Sequence, residues 1–148
     1  MASKPRVLLV EDSADDVELT VAALADYCDS DTIAIAHDGE DALDYLYRRG
    51  AHRQRAAGGP ALILLDIKMP KMDGLEVLRV IKSDAQFKAI PVVMLTSSRE
   101  ERDVANSYRL GSNGYVVKPL LFSELYSALK TTGAFWLTVN EPSPETRS

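Results

Sequence analysis

Short apolar runs recur at residues 7–10, 32–36, 61–65, 91–95 and 115–117, separated by longer segments whose apolar residues fall at helical spacing. Strand-length runs alternating with helical segments predict repeated βα units and a parallel sheet. Runs 7–10 and 61–65 are apolar at every position, the pattern of central strands covered on both faces. The stretch DTIAIAHDG alternates more and fits an edge strand. Ser13 caps a first helix, with Asp15 and Asp16 favourable in its opening turn and Val17, Val21 and Leu24 forming one stripe. Segment 40–49 carries Leu43 and Leu46, 75–83 carries Leu75, Leu78 and Ile81, and 120–132 carries Leu121, Leu125 and Leu129. Segment 99–110 is mostly polar, which predicts either a lightly packed helix or a partner surface.

The chain's 148 residues suit one domain. At that length roughly two-thirds of the unfolded surface is buried, so folding needs no disulfide or structural metal. A net charge of -5 and a pI near 5.0 argue against direct nucleic-acid binding, which needs a basic stripe to displace counterions from phosphates. Cys28 is the only cysteine, expected as a small buried or half-buried filler, and it fits a reducing cytoplasm. The start, MASKPRVLLVED, is too short for a signal-peptide core, and no later run reaches membrane-spanning length. These features predict a soluble, cytoplasmic chain. The basic connection at 50–60 reads as a solvated loop or a docking loop, and the tail at 140–148 as disordered.

The strand ends carry the chemistry. Glu11 and Asp12 follow RVLLV, Asp66 follows ALILL, Thr96 follows PVVML, and Lys118 follows GYVV. A parallel α/β sheet binds ligands beyond the carboxyl ends of its strands, so these side chains are expected to converge. Carboxylates about 4 Å apart repel by roughly 4 kcal/mol at an effective dielectric near 20, so the cluster needs counter-charge. A divalent metal and one lysine bring the formal sum to zero. The turn EDSADD lacks the glycines of a dinucleotide site and repels phosphate unless a cation intervenes. Mg2+ prefers oxygen ligands and keeps several waters; Asp12 and Asp66 supply carboxylates, and Glu11 adds charge and orients a metal-bound water. Asp66 precedes IKMPKMDG, where Pro70 and Asp73-Gly74 hold the loop against the site. A carboxylate there can attack phosphorus, with Lys118 as a movable charge and Thr96 as a hydroxyl donor.

The set Glu11-Asp12, Asp66 within DIKMPKMDG, Thr96-Ser97 and Lys118-Pro119 resembles the receiver domain of two-component response regulators over about residues 5–133. The resemblance implies a doubly wound five-stranded parallel sheet in the order 2-1-3-4-5, a histidine-kinase phosphodonor, and Asp66 as phosphoacceptor. It assigns Mg2+ to Asp12, the Asp66 carboxylate and the Lys68 backbone carbonyl, with Glu11 indirect. It further implies a switch in which Thr96 turns toward the phosphoryl group and Tyr115 moves inward, and a cis Lys118–Pro119 peptide. Lys68 departs from the shorter polar residue usual in chemotaxis receivers, which bears on dephosphorylation rate. Ser97 and Ser98 permit further polar contacts near the entrance.

The long basic loop and the ending GAFWLTVNEP are similar to stand-alone receivers paired with bacterial phytochrome histidine kinases. The chain ends too soon for an attached effector, so the expected output is a protein contact or a phosphate relay. The expected organisation is a receiver at 1–133 and an extension at 134–148, with Phe135, Trp136 and Leu137 forming a homodimer contact, or else folding back onto the core. On that expectation, deleting 134–148 leaves a folded monomer. A dehalogenase-type phosphatase would place an acid/base Asp where Lys68 stands, and a flavodoxin-like carrier would need a neutral, hydroxyl- and glycine-rich loop. The remaining alternatives are a phosphorelay intermediate and a phosphate-independent receiver-like binding module. The expected protein is a signalling switch that catalyses its own phosphorylation and hydrolysis, not a metabolic enzyme.

Overall fold

The computed structural model describes residues 6–146. The leading residues 1–5 lie outside it. Strand β1 (Val7–Val10) is followed by helix α1 (Ala14–Leu24), β2 (Ile33–Ala36), α2 (Gly39–Tyr47), β3 (Leu62–Leu65) and α3 (Gly74–Ser83). The chain continues through β4 (Val92–Thr96), α4 (Glu101–Leu110), β5 (Gly114–Val117) and α5 (Phe122–Ala134). The five strands form one parallel sheet in the order β2-β1-β3-β4-β5, with the fully apolar β1 and β3 inside and the alternating β2 at an edge. None of the described helices is long and apolar enough to cross a membrane.

Alternation along the strands divides the core. Leu8, Val10, Ile63, Leu65, Val92 and Met94 pack with Leu43, Leu46, Leu78 and Ile81 of α2 and α3. On the other face Val7, Leu9, Leu62, Leu64 and Val93 pack with Leu24 of α1 and with Leu137. Leu125 and Leu129 of α5 join Ala23 and Leu95. Successive strand residues point to opposite faces, so a fully apolar strand serves both layers. Each full Leu or Val burial contributes roughly 1.5–3 kcal/mol.

Side-chain caps start three of the helices. Ser13 Oγ accepts from the Asp16 amide at 3.3 Å, Asp38 Oδ1 from Asp41 at 2.8 Å, and Asp73 Oδ1 from Glu76 at 3.1 Å. Each such cap satisfies an amide that has no partner within its own helix.

Several expectations change here. Leu121 sits at the cap of α5 with 60% of its surface exposed, outside the buried stripe of Leu125 and Leu129, because the helix begins only at Phe122. Segment 50–60 is largely exposed, as expected of a solvated loop, but it is tied to the core. It opens with a 3-10 turn, Gly50–His52, and Arg55 folds back beneath α2, donating to the carbonyls of Tyr45, Leu46, Ala56 and Gly58 while lying over the Tyr45 ring. The tail expected to be disordered forms a 3-10 turn at Pro144–Thr146, with the Glu145 amide donating to Ser143 Oγ at 3.2 Å; residues 147–148 lie outside the description. Helix α5 runs unbroken through the 133/134 boundary into a π-helical turn, Phe135–Val139.

Leu137 is buried in the core, and Arg6 donates to its carbonyl at 2.9 Å and to that of Tyr27 at 2.9 Å. Gly133 makes this close approach possible, since a Cβ there would lie 2.6 Å from Leu24 Cδ2 and 2.9 Å from the Tyr27 ring. Leu137 is therefore enclosed by its own chain and does not reach a dimer surface. Trp136 is half-buried, while Phe135 and Val139 are exposed.

Candidate functional site

Sheet register brings the acids together. Val10 pairs with Leu65, so Glu11 and Asp66 leave adjacent strands side by side. The ladder runs one residue further: the Asp66 amide donates to the Val10 carbonyl at 3.1 Å, Glu11 to Ala36 at 2.9 Å, and Lys118 to Thr96 at 2.8 Å. Carboxylate oxygens of Glu11, Asp12 and Asp66 all lie within 4.8 Å of one another. Glu11, Asp66 and Thr96 are buried, and Asp12 is exposed at the mouth. The loop after Asp66 is closed by the Gly74 amide donating to the Ile67 carbonyl at 2.8 Å. A Cβ on Gly74 would stand 2.0 Å from the Asp66 carbonyl oxygen, so only glycine lets α3 begin this close to the site.

Lys118 reaches into the cluster from β5. Its Nζ donates to Glu11 Oε1 at 2.5 Å and Asp16 Oδ2 at 2.8 Å, and more distantly to Asp66 Oδ2 at 3.4 Å. Burial opposes its charge, but the bonds to Asp16 and Glu11 and the field of Asp66 outweigh burial and raise its pKa above the ordinary lysine value. Burial pushes the Glu11 carboxyl up to about 7, against the pull of Lys118. The second Glu11 oxygen accepts from the Ser13 amide at 3.1 Å. Asp66 Oδ1 is buried with no hydrogen-bond partner. An unpartnered buried carboxylate oxygen is costly, and beside two more carboxylates it fits a hard divalent cation held by oxygen.

All five strand-end residues expected at this edge are there. Lys68 lies exposed in the β3–α3 loop, and Tyr115 is half-buried, its hydroxyl donating to the Ser98 carbonyl at 3.0 Å. The Lys118–Pro119 peptide is trans, correcting the cis bond implied by the resemblance: the described residues contain no cis peptide. Trans is the lower-energy isomer of an X–Pro bond by about 0.5–1 kcal/mol. Asp16 was expected only as a favourable first-turn acid; the structure makes it a partner of Lys118. Its place in the first turn of α1, just past the Ser13 cap, sets it beside the strand ends. The mostly polar α4 also turns a polar residue inward, with Asp103 6% exposed.

Residues 7–130 match the family described as response regulator receiver domain. Response regulator Rcp1 from Synechocystis sp. is 39% identical over 138 residues, covering 93% of this chain and 92% of that protein. The crystal structure of Rcp1 in its Mn2+-bound form superposes with a TM-score of 0.87 at 37% identity, over 94% of this chain and 99% of that one. The phosphorylated cyanobacterial phytochrome response regulator RcpA gives 0.87 at 38% identity, over 95% and 99%. The bacteriophytochrome response regulator RtBRR is 50% identical, with a TM-score of 0.73 over 97% of this chain and 87% of that one.

Proposed function

The chain belongs to the response regulator receiver family, and on that premise we propose that Asp66 accepts a phosphoryl group from the phosphohistidine of a sensor kinase. The observation that carries this is the state of its carboxylate: buried within an acidic cluster, one oxygen facing Lys118 and the other unpartnered. In the transfer an Asp66 oxygen forms its bond to phosphorus as the donor's P–N bond breaks, and the departing imidazole takes up a proton. Lys118, held 3.4 Å from Asp66, follows the added negative charge, and Thr96 donates its hydroxyl to a phosphoryl oxygen. Receivers bind a divalent cation, as the Mn2+ form of Rcp1 illustrates. We assign Mg2+ to this site: Asp12, Asp66 and the Lys68 carbonyl would hold it, Glu11 would act indirectly, and the ion would supply positive charge against the carboxylates and the incoming phosphoryl group. The same groups serve the chain's own hydrolysis of its acyl phosphate.

Similarity to RcpA and RtBRR supports a phytochrome-type histidine kinase as donor. The output is a phosphorylation-dependent protein contact in the cytoplasm, with residues 134–148 as an extension to the receiver. Exposed Phe135 and Val139 form a homodimer contact, with Trp136 half-covered behind them. The test is intact mass after incubation with Mg2+ and acetyl phosphate, with and without chelator. Wild type is expected to gain one phosphate only when Mg2+ is present, and Asp66→Asn to gain none. Equal labelling of the two proteins would remove Asp66 from the role. Absence of labelling in both, while a known receiver labels in parallel and a phytochrome kinase also fails as donor, would favour a phosphate-independent binding module.

A further inference from the structure

Four interactions meet at Ser98, two residues beyond Thr96. Its amide donates to Thr96 Oγ1 at 3.3 Å, and its carbonyl accepts the Tyr115 hydroxyl at 3.0 Å. Its own hydroxyl donates to Asp103 Oδ2 at 2.5 Å and accepts the Glu100 amide at 3.4 Å. One residue thus ties the end of β4 and the Tyr115 side chain of β5 to the first turn of α4. The N-cap residue of that helix, Glu100, makes no side-chain cap bond, so Ser98 Oγ takes the place of a cap for the Glu100 amide. Asp103 is held in turn. It is buried, its carbonyl accepts the Ser107 hydroxyl at 2.7 Å, and its amide donates to Glu100 at 3.0 Å. A hydroxyl bonded to a buried carboxylate is among the stronger hydrogen bonds a loop can make.

We infer that Ser98 and Asp103 form a clasp on the β4–α4 loop that sets how readily Thr96 turns toward Asp66. Both are positioning residues that act through Thr96; neither touches the reacting atoms. This rests on Asp66 being the phosphoacceptor. While the clasp is closed, Thr96 Oγ1 serves as acceptor for the Ser98 amide and the loop's course is fixed by α4. Turning the Thr96 hydroxyl toward Asp66 moves the acceptor of the Ser98 amide, and the Ser98 bond to Asp103 resists the loop shift that would follow it. A ligand that favours the open loop must supply the difference between the two states, and weakening the clasp lowers that difference. The Tyr115 hydroxyl hangs on the same residue, so opening the clasp also frees the aromatic ring. Signal and loop position are therefore coupled through one hydroxyl–carboxylate bond.

Ser98→Ala, Asp103→Ala and Ser98→Thr test the clasp by two measurements. The first is amide hydrogen exchange of residues 97–101 in full-length protein without phosphodonor. Ser98→Ala and Asp103→Ala are expected to speed exchange there to a similar extent, their double variant to add little, and Ser98→Thr to behave as wild type. The second is the rate of mass gain from acetyl phosphate with Mg2+, in which the donor's P–O bond breaks and acetate leaves. The two clasp-breaking variants are expected to react about tenfold faster, the factor that 1.4 kcal/mol represents. Unchanged exchange in the loop overturns the clasp whatever the labelling shows. Faster exchange with an unchanged or slower labelling rate reduces the contact to a helix cap and also overturns it. If wild type does not label at Asp66, the phosphoacceptor reading fails separately, and the exchange data still decide whether Ser98 and Asp103 restrain the loop.

Discussion

Lys118 is the residue whose surroundings say most about the site. It is shared by Glu11 and Asp16 at short range and stands further from Asp66, so its ammonium neutralises the cluster without closing over the carboxylate meant to react. Lys118→Ala is expected to raise divalent-cation affinity, since a competing positive charge leaves the cluster, while cutting acetyl-phosphate labelling at least about tenfold, or 1.4 kcal/mol in barrier. Isothermal titration with Mg2+ and intact-mass kinetics on the same preparation check both directions; weaker metal binding would contradict the assignment of Lys118 as the cluster's counter-charge. Gly74 is constrained differently. Gly74→Ala places a Cβ against backbone atoms of Asp66 and Ile67, and is expected to cost about 3 kcal/mol in urea unfolding, the upper range for inserting one methyl into a packed site. The strand-end residues were legible because each follows an apolar run whose end a parallel sheet must place at one edge. Asp16 was not, since a first-turn acid has an adequate local explanation in the helix dipole, and only the reach of a lysine 102 positions away gives it another role.

At the level of elements, the apolar runs located all five strands to within a residue, because the central strands are buried throughout and even the edge strands β2 and β5 are built of apolar residues. Helix caps were less legible: Asp38 and Asp73 start α2 and α3, yet an Asp before a helix looks the same as one in a turn. The 50–60 segment was the hardest to place, because its basic composition describes a solvated loop equally well. What orders it is Arg55, whose guanidinium answers carbonyls at the C-terminal end of α2, where unpaired acceptors and the negative end of the helix dipole collect. Arg55→Ala is expected to destabilise the protein by about 2 kcal/mol, in the range for a hydrogen bond to a charged group. It should also accelerate hydrogen exchange through residues 50–60. Arg55→Lys should recover little of either, since one ammonium cannot reproduce the planar fork. Recovery by lysine would mean that charge alone holds the loop.

For the whole molecule the question is what the C-terminal turn contributes to the core and what it leaves for a partner. The sequence assigned Phe135, Trp136 and Leu137 to one contact because three neighbouring apolar residues past a last helix look alike. A π-helical turn separates them: Leu137 goes under the sheet with Leu24 and Leu62, while Phe135 is 46% and Val139 70% exposed. Removing 134–148 therefore strips a core residue and the Leu137 carbonyl that Arg6 binds, so the truncation is expected to unfold in part and cannot serve as a clean monomer control. Paired surface substitutions separate the two functions. Phe135→Asp with Val139→Asp is expected to leave urea stability within about 0.5 kcal/mol, as surface changes usually do, and to shift the mass by light scattering from dimer to monomer. Leu137→Ala is expected to cost roughly 2–5 kcal/mol through the cavity it opens while leaving any dimer that remains folded intact. A double-aspartate variant that stays dimeric would move the self-contact off this turn, and the consecutive exposed residues Leu120, Leu121 and Phe122, with Leu120 98% exposed, would then be the next candidate to carry it.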